Sequence, residues 1–218
     1  LTLCKDGNLD YGQKSFLFTE AEPVIDDTCE LYPYFRNGTM MLYGGGTDHA
    51  MKSRQCLEEE LLRGRAQGFL SEAMSGCMVF VDGEFWGLYL MREAIRPESL
   101  AERAGCQVEE IRMVENAYPS QIAPEYGELY RLVTEQNAGS EKIYGQILEQ
   151  MDVDSFLEYY CANLYFGNPQ FDSFSTTVWR QEGEDSVGKW HWEFTDATDT
   201  LGRNSLSNYS VNTYLCPQ

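Results

Sequence analysis

Short apolar runs bounded by turn residues occupy the first half of the chain, a pattern typical of β-strands. The runs at 13–18 and 40–43 have this character, and three glycines (44–46) follow the second. Two further runs within 77–92 flank Asp82-Gly83, a pair that suits a tight hairpin because glycine tolerates positive φ. The pattern predicts a strand-rich amino-terminal part that includes a hairpin.

Apolar residues recur at helical spacing in most of the remaining sequence. Leu57 and Leu61 lie one turn apart in a predicted helix over about 48–65, and Pro97 fits the first turn of a short helix over 97–104. Three more helices are predicted near 122–133, 143–151 and 154–166. After the hairpin within 77–92, the predicted elements change from mainly strands to mainly helices, a mixture typical of an α+β fold.

The helix predicted over 154–166 carries two apolar stripes at i+4 spacing. One stripe is formed by 156, 160 and 164, and the other by 157, 161 and 165. We expect this wide apolar face to be buried, with Cys161 acting as a small buried hydrophobe.

A second hairpin is predicted near the carboxyl end of the chain. Its strands are 175–180 and 189–194, separated by an acidic turn that contains glycine. This hairpin places Asp196 and Asp199 just beyond a strand end, where loops commonly carry chemistry on a rigid scaffold.

Composition narrows the classes of partner. The chain has 218 residues, of which 43% are hydrophobic, enough for one compact domain or two small lobes. Its 35 acidic and 16 basic residues give a net charge of −19, which argues against nucleic acid or an anionic membrane as the main partner. No apolar run is long enough to cross a bilayer, and residues 1–10 lack a signal-peptide pattern.

The seven cysteines are scattered without a CxxC pair, which argues against a zinc cluster. We expect them to be reduced and structural, with Cys56, like Cys161, on an apolar helix face.

Several stretches of this sequence resemble the spore-coat CotH kinase family. The most specific is 81–93, similar to the family's NGxYxGxYxxxE hairpin, with Asp82 in place of the usual Asn. The stretches that carry the resemblance are YGQKSF (11–16), ELYPYF (30–35), MLYGGGTDH (41–49), VDGEFWGLYLMREAI (81–95), LYFGN (164–168) and KWHWEFTDATDTLG (189–202).

The resemblance implies a protein-kinase-like fold within a single domain, 1–218. A small strand-rich lobe, 1–93, and a mostly helical lobe, 94–218, are expected to enclose an ATP cleft. The partners expected are a protein substrate or scaffold, with no nucleic acid and no membrane span. The resemblance implies that the protein is located at the spore coat, at the cell surface or outside the cell. A cytoplasmic location stays open.

Two cofactor-binding residues follow from the same resemblance. Lys14 matches the strand lysine that binds ATP phosphates, a role that suits an ammonium group, although a solvated surface lysine is the alternative. An acid from the helix 48–65 should hold this lysine. Glu58, Glu59 and Glu60 are the candidates, and we expect most of them to be solvated. Glu93 follows the hairpin where backbone would meet adenine, and its carboxylate alternatively serves as a structural partner.

The family's metal-binding segment is similar to WxWxxxDxDxxxG. Asp196 matches its first acid, and Asp199 lies one place beyond its second, where this chain has Thr198. Both are predicted ligands of Mg²⁺, with Mn²⁺ as an alternative ion, because these ions prefer carboxylate oxygen.

The catalytic loop departs from the family pattern GNxDxxxNN. Without gaps, Gln170 occupies the position of the catalytic Asp, and Phe174 and Ser175 those of the Asn pair. Glutamine cannot accept a proton as a carboxylate does, so Asp172 is predicted to substitute in a rebuilt loop.

The function that the resemblance implies is ATP- and Mg²⁺-dependent phosphoryl transfer to a protein, with a degenerate catalytic loop. The alternative is a pseudokinase, a nucleotide-binding or scaffolding protein of a spore-coat or cell-surface assembly. Transfer of AMP in place of phosphate also stays open.

Overall fold

A computed structural model of the chain describes residues 16–19, 39–44, 52–63, 74–115, 124–168, 176–183, 187–194 and 200–201. Within them lie seven β-strands and five α-helices. The helices and strands are mixed in an α+β arrangement with antiparallel sheets, so the predicted fold class is confirmed at that level.

A four-stranded antiparallel sheet is formed by β1 (Phe16–Thr19), β2 (Thr39–Tyr43), β3 (Met74–Val81) and β4 (Glu84–Glu93). The strand order is β1-β2-β4-β3. The β3–β4 hairpin turns at Asp82 and Gly83, both with positive φ, 51° and 85°. Two consecutive left-handed residues match the twist of the flanking strands, so the predicted hairpin is confirmed.

Helix α1 (Arg54–Leu62) contacts β3 of this sheet. Its inner face is polar, since Gln55, Glu58 and Glu59 are buried while Glu60 is exposed. The expectation that most of the three glutamates are solvated was wrong. Positions 55, 58 and 59 lie on one side of a helix, and this side faces the protein.

Helix α2 (Pro97–Ala104) follows the hairpin and has the predicted bounds. It begins with proline and ends at Gly105, whose φ of 69° permits its N–H to bond the Ala101 and Glu102 carbonyls. Ser99, Leu100 and Ala101 face inward.

A three-stranded antiparallel sheet has the order β5 (Ile111–Val114), β6 (Thr177–Gln181) and β7 (His191–Glu193). The predicted second hairpin is confirmed as β6 and β7. Strand β5 was not predicted. It has four residues, and its partner β6 lies more than 60 positions along the chain, so local pattern does not reveal it.

Three helices pack with this sheet: α3 (Pro124–Thr134), α4 (Glu141–Gln150) and α5 (Val153–Phe166). Their shared core is formed by Leu129, Ile147, Tyr159, Ala162, Phe166, Val178, Trp190 and Trp192. Helix α5 is capped by the Asp152 carboxylate, which accepts from Ser155 N at 2.9 Å. It ends at Gly167, which has a φ of 63°. This core fixes where the end of α5 lies.

Only part of the predicted apolar face of α5 is buried. The stripe of Leu157, Cys161 and Tyr165 is exposed, and Tyr165 has 76% of its surface accessible. The helix instead buries a face that contains Ser155 and Asn163, two polar residues whose side chains bond to protein groups. The expectations of a buried stripe and of a buried Cys161 were therefore wrong, because no helix or strand in the described part of the chain covers this side of α5.

Within the described part of the chain, Cys56, Cys77, Cys106 and Cys161 are free thiols, as expected for reduced cysteines. None of the helices described is long and apolar enough to span a membrane.

Candidate functional site

The predicted site residues fall mainly in three segments outside the described residues. Lys14 precedes β1, Gln170 and Asp172 lie between α5 and β6, and Asp196 and Asp199 follow β7. Glu93 lies inside the described part. For the two segments that contain Gln170, Asp172, Asp196 and Asp199, the structure gives the contacts of the described residues on either side.

The segment 169–175 is anchored to α5 at both ends. Before it, the Asn168 side chain donates from Nδ2 to Asn163 Oδ1 at 2.8 Å. Asn163 in turn donates from Nδ2 to the Tyr159 carbonyl at 2.8 Å. After the segment, Thr176 Oγ1 lies 3.2 Å from the Tyr159 hydroxyl. A network of polar groups along α5 thus holds the start and the end of the predicted catalytic loop.

Described residues on both sides of the segment 195–199 contact the carboxyl end of α5. The Phe194 ring lies 5.7 Å from the Phe166 ring, measured between centroids. At the other end, Leu201 N donates to the Phe166 carbonyl at 2.8 Å. Phe166 is the last residue of α5 and is buried. The two segments that contain the predicted catalytic and metal-binding residues therefore start from one place in the fold.

Thr200 connects this place to α1. Its hydroxyl donates to the Glu58 carboxylate, although the two residues are 142 positions apart in the chain. Both are inaccessible to solvent: Thr200 is 0% exposed and Glu58 is 1% exposed. A hydrogen bond in a dry environment is electrostatically stronger than the same bond in water. Thr200 was not identified from the sequence. The signal that could have identified it was its position in the stretch DATDTLG (196–202).

Lys52 is a second residue that the sequence reasoning missed. It lies two residues before α1, is 8% exposed, and donates from Nζ to the carbonyl of Gly44, the residue after β2. Its ammonium lies 5.5 Å from the centre of the Tyr89 ring, a cation–π distance. Lys52 thereby ties the start of α1 to the four-stranded sheet. The signal in the sequence that could have identified Lys52 was its proximity to the three glycines 44–46.

Glu93 ends β4, and its side chain has a structural partner. Arg103 of α2 donates from Nη2 to Glu93 Oε2 at 2.8 Å, and the Glu93 residue is 5% exposed. The ion pair joins the four-stranded sheet to α2 across the connecting residues. A structural role for this carboxylate was one of the two roles that the sequence left open. In the other role, the backbone near Glu93 contacts adenine, and this stays a prediction.

Strand β7, which leads to Asp196, is held by a buried side chain and along its outer edge. Glu193 is fully buried and accepts from Nε1 of Trp179 on β6 at 2.7 Å. At the edge of the sheet, the backbone N–H of Trp192 donates to Ser155 Oγ of α5 at 2.9 Å. The first bond ties β7 to β6, and the second ties it to α5.

His191 stacks on Trp179, with ring centroids 4.9 Å apart. Its Nδ1 lies 3.4 Å from Asp152 Oδ2. Burial lowers the pKa of His191 below its ordinary 6.5, Asp152 partly opposes this shift, and Lys189 adds to it. This histidine packs beside the α5 cap.

The family model for the CotH kinase protein matches residues 10–212 of this chain. The chain belongs to the CotH kinase family. A search of curated proteins found no match. The matched range includes every predicted site residue, from Lys14 to Asp199.

Membership in the CotH kinase family indicates a kinase-like function and, with it, the use of ATP and a divalent metal. Among the residues that the structure describes, no group of three or more His, Cys, Asp and Glu side chains could hold a metal ion. Asp196 and Asp199 supply carboxylate oxygens, the donors that Mg²⁺ prefers, so their chemistry fits such an ion.

Proposed function

We propose that this CotH family domain transfers the γ-phosphoryl group of ATP to a hydroxyl of a protein, with a divalent metal and a rebuilt catalytic loop. The observation that carries the proposal is the convergence at the carboxyl end of α5. The segments with the predicted catalytic residues (169–175) and metal ligands (195–199) both follow described residues at this place. The second segment is followed by Thr200, which is hydrogen-bonded to Glu58 of α1.

The proposed architecture has a lobe of residues 1–93 and a lobe of residues 94–218, with ATP between them. Its support is the order of elements, since the four-stranded sheet and α1 precede the connecting residues, and the helices and smaller sheet follow. The Glu93–Arg103 pair lies at this connection. The proposed ATP site is therefore close to the residues that join the two parts.

Each predicted residue has one proposed role. Lys14 binds the phosphate oxygens of ATP as a point charge with three donors. Asp196 and Asp199 hold the metal ion, which when bound neutralises the charge that develops on the phosphate oxygens. The backbone around Glu93 contacts adenine.

In the transfer itself, the acceptor hydroxyl oxygen forms a bond to the γ-phosphorus. The bond from that phosphorus to the β–γ bridging oxygen breaks, and ADP leaves with the electron pair. Asp172 orients the hydroxyl and accepts its proton. Gln170, which has no acidic group, orients the loop by hydrogen bonding.

The test is incubation of the domain with γ-labelled ATP, Mg²⁺ or Mn²⁺, and generic protein acceptors. We expect label transfer that is lost in Asp196→Asn and reduced by orders of magnitude in Asp172→Asn. Asp154→Asn is the matched control, because Asp154 is an exposed carboxylate on α5. Absence of label on every acceptor and on the domain itself would contradict phosphoryl transfer.

The second candidate is a pseudokinase that binds nucleotide without turnover and acts as a scaffold in a spore-coat or cell-surface assembly. Gln170, at the position of the family's catalytic Asp, favours it. This candidate predicts that ATP raises the melting temperature while no product forms. It further predicts that Gln170→Asp gains transfer activity, whereas the first candidate predicts activity already in the unmodified chain.

Intact-mass measurement after the same incubation separates the chemical outcomes. A phosphate adduct agrees with the proposal, whereas an AMP adduct would replace it with transfer of the nucleotide. An unmodified mass together with an ATP-dependent rise in melting temperature identifies the pseudokinase.

A further inference from the structure

The β3–β4 hairpin presents an exposed apolar face. Met78 lies opposite Leu88 in the register of the two strands. Phe80 lies opposite Phe85, and their ring centroids are 5.4 Å apart. Residues opposite each other share a face of the sheet, as do alternate residues of β3, so all four lie on one side. These four residues, which we call the hairpin face, are each between 52% and 66% exposed.

The rest of the protein packs against the opposite side of this hairpin. Cys77 lies opposite Tyr89, and both alternate with residues of the hairpin face, so their side chains are on the other side. Tyr89 is buried, and the ammonium of Lys52, just before α1, lies 5.5 Å from the centre of its ring. The hairpin face is therefore a contiguous exposed apolar surface, a feature that commonly marks a contact site for another molecule.

Strand β3 also offers its backbone to a partner. Among the strands that the structure describes, it pairs with β4 alone and forms the edge of the sheet. An edge strand presents a row of N–H and C=O groups on its outer side, and proteins commonly protect such edges with charged residues or proline. The eight residues of β3, MSGCMVFV, include neither. This edge is therefore suited to pairing with an added strand.

Charge indicates the chemistry of the added strand. The hairpin turn beside Phe80 and Phe85 carries two exposed acids, Asp82 and Glu84. The whole chain has a net charge of −19. Lysine or arginine in a partner is attracted both to the two acids at the turn and to the chain as a whole. The complementary partner is therefore basic as well as apolar.

A second copy of this chain fits the surface less well. A phenylalanine side chain buries about 150–250 Å², so the hairpin face, a little over half exposed, offers roughly 400 Å². Two copies in contact through it would bury about 800 Å² in total, less than the roughly 1,000 Å² expected of a specific dimer. Each copy also carries a charge of −19, so the two repel each other.

We infer that the edge of β3 and the hairpin face together bind an extended segment of another protein, which adds a strand to the sheet. Apolar residues at every second position of this segment pack beside Met78 and Phe80, and its lysine or arginine residues contact Asp82 and Glu84. The inference goes beyond phosphoryl transfer, since no predicted site residue belongs to this surface. It specifies where a protein partner docks and what sequence pattern that partner carries.

The test begins with selection of randomised linear peptides, long enough to match the eight residues of β3, against the whole domain. We expect enrichment of peptides in which apolar residues alternate with other residues and lysine or arginine is frequent. The most enriched peptide, labelled with a fluorophore, is the probe for all affinity measurements by fluorescence anisotropy. Absence of any enriched pattern, or enrichment of acidic peptides, would contradict the inference.

Substitutions on the hairpin face test the apolar contact. Phe80→Thr combined with Leu88→Thr removes apolar area and keeps residues that favour strands. We expect the affinity for the probe to fall about tenfold or more, because the apolar area buried on binding is lost. Leu157→Thr is the matched control, since Leu157 is 49% exposed on α5, and it should change the affinity less than about threefold.

The two acids are tested by removing their charge. Asp82→Asn combined with Glu84→Gln keeps a turn that suits the hairpin, because Asn-Gly favours the same conformation. The affinity should fall and depend less on salt concentration. Glu128→Gln combined with Glu149→Gln removes the same charge from exposed positions on α3 and α4 and should leave the salt dependence nearly unchanged.

Methylation of the probe's backbone nitrogens tests strand addition on the unmodified chain, so the folding of a variant plays no part. One version of the peptide is methylated at odd-numbered residues and the other at even-numbered residues. The N–H groups of alternate residues face the same edge of a strand, so only one version should lose binding. Equal affinities of the two versions would refute strand addition.

Two further results would overturn the inference. If sedimentation shows a dimer that Phe80→Thr with Leu88→Thr abolishes, the hairpin face belongs to a second copy. If the hairpin variants bind the probe as tightly as the unmodified chain, the peptide docks elsewhere. A chain that binds the probe in the expected way but transfers no label from ATP refutes the proposed function and leaves the docking surface intact.

Discussion

The ion pair between Glu93 and Arg103 tests how the four-stranded sheet is joined to α2. We consider Arg103→Met, which keeps most of the apolar stem and removes the guanidinium. The change removes the guanidinium that lies 2.8 Å from the Glu93 carboxylate, whose side chain is 6% exposed. Removing one member of a buried pair costs about 3–5 kcal/mol, because the remaining charge is poorly solvated.

The lower end of this range applies here. The Arg103 side chain is 17% exposed, so water can partly solvate the carboxylate after the substitution. We expect a loss of about 3 kcal/mol in the free energy of unfolding. For a chain of this length, that loss lowers the melting temperature by roughly 6–12 °C.

The assay is urea unfolding followed by tryptophan fluorescence, with Arg63→Met as the matched control. Arg63 pairs with Glu60 at 3.4 Å, but both side chains are more than half exposed. An exposed pair of this kind contributes less than about 1 kcal/mol. Replacing both Glu93 and Arg103 by leucine should recover most of the loss, since neither charge of the pair is then buried without the other.

Two results would refute this reasoning. A loss in Arg103→Met no larger than in Arg63→Met would show that the pair contributes nothing to folding. A double leucine variant less stable than Arg103→Met would show that packing, rather than the unpaired charge, determines the cost.

Three further predictions concern the smaller sheet and α5. Trp190 is fully buried in the core, so Trp190→Ala should cost about 3–5 kcal/mol in urea unfolding, and a cost under about 1 kcal/mol would contradict its place there. Gly167 has a φ of 63° at the end of α5, so Gly167→Ala should cost about 1 kcal/mol by the same assay, whereas no change would argue against a left-handed cap. Burial lowers the pKa of His191 in the folded chain, although Asp152 partly opposes this shift. The unfolded chain therefore binds this proton more readily, and the free energy of unfolding should decrease as the pH falls through 6.5 towards the folded pKa. His191→Phe should flatten that slope between about pH 5 and 7, and an unchanged slope would assign it to other groups.

Local signals in the sequence were sufficient for most helices and strands. Asp82-Gly83 determined the hairpin turn because two positive φ values are required there. Pro97 marked the start of α2, and Gly167 marked the end of α5. Each of these depends on the backbone preferences of one or two residues, which do not require knowledge of distant contacts.

Burial was predicted less well. The stripe of Leu157, Cys161 and Tyr165 has the periodicity of a core face and is exposed, while Glu58 and Glu59 are buried. Periodicity shows that residues share a side of a helix, but the packing of other elements decides which side is covered. Strand β5 was missed for a related reason, since its pairing with β6 is a contact between distant parts of the chain.

For the candidate site, the sequence by itself determined the family, through motifs spread over most of the chain, and the chemical types of the predicted residues. It also showed the departure at Gln170, because a residue type is read directly from the chain. Tertiary structure alone decided that the residues flanking both predicted segments contact α5, and that Thr200 reaches Glu58. The physical reason is that such contacts depend on how α1, α5 and the two sheets pack, and 142 positions of intervening chain carry no local signal for that distance.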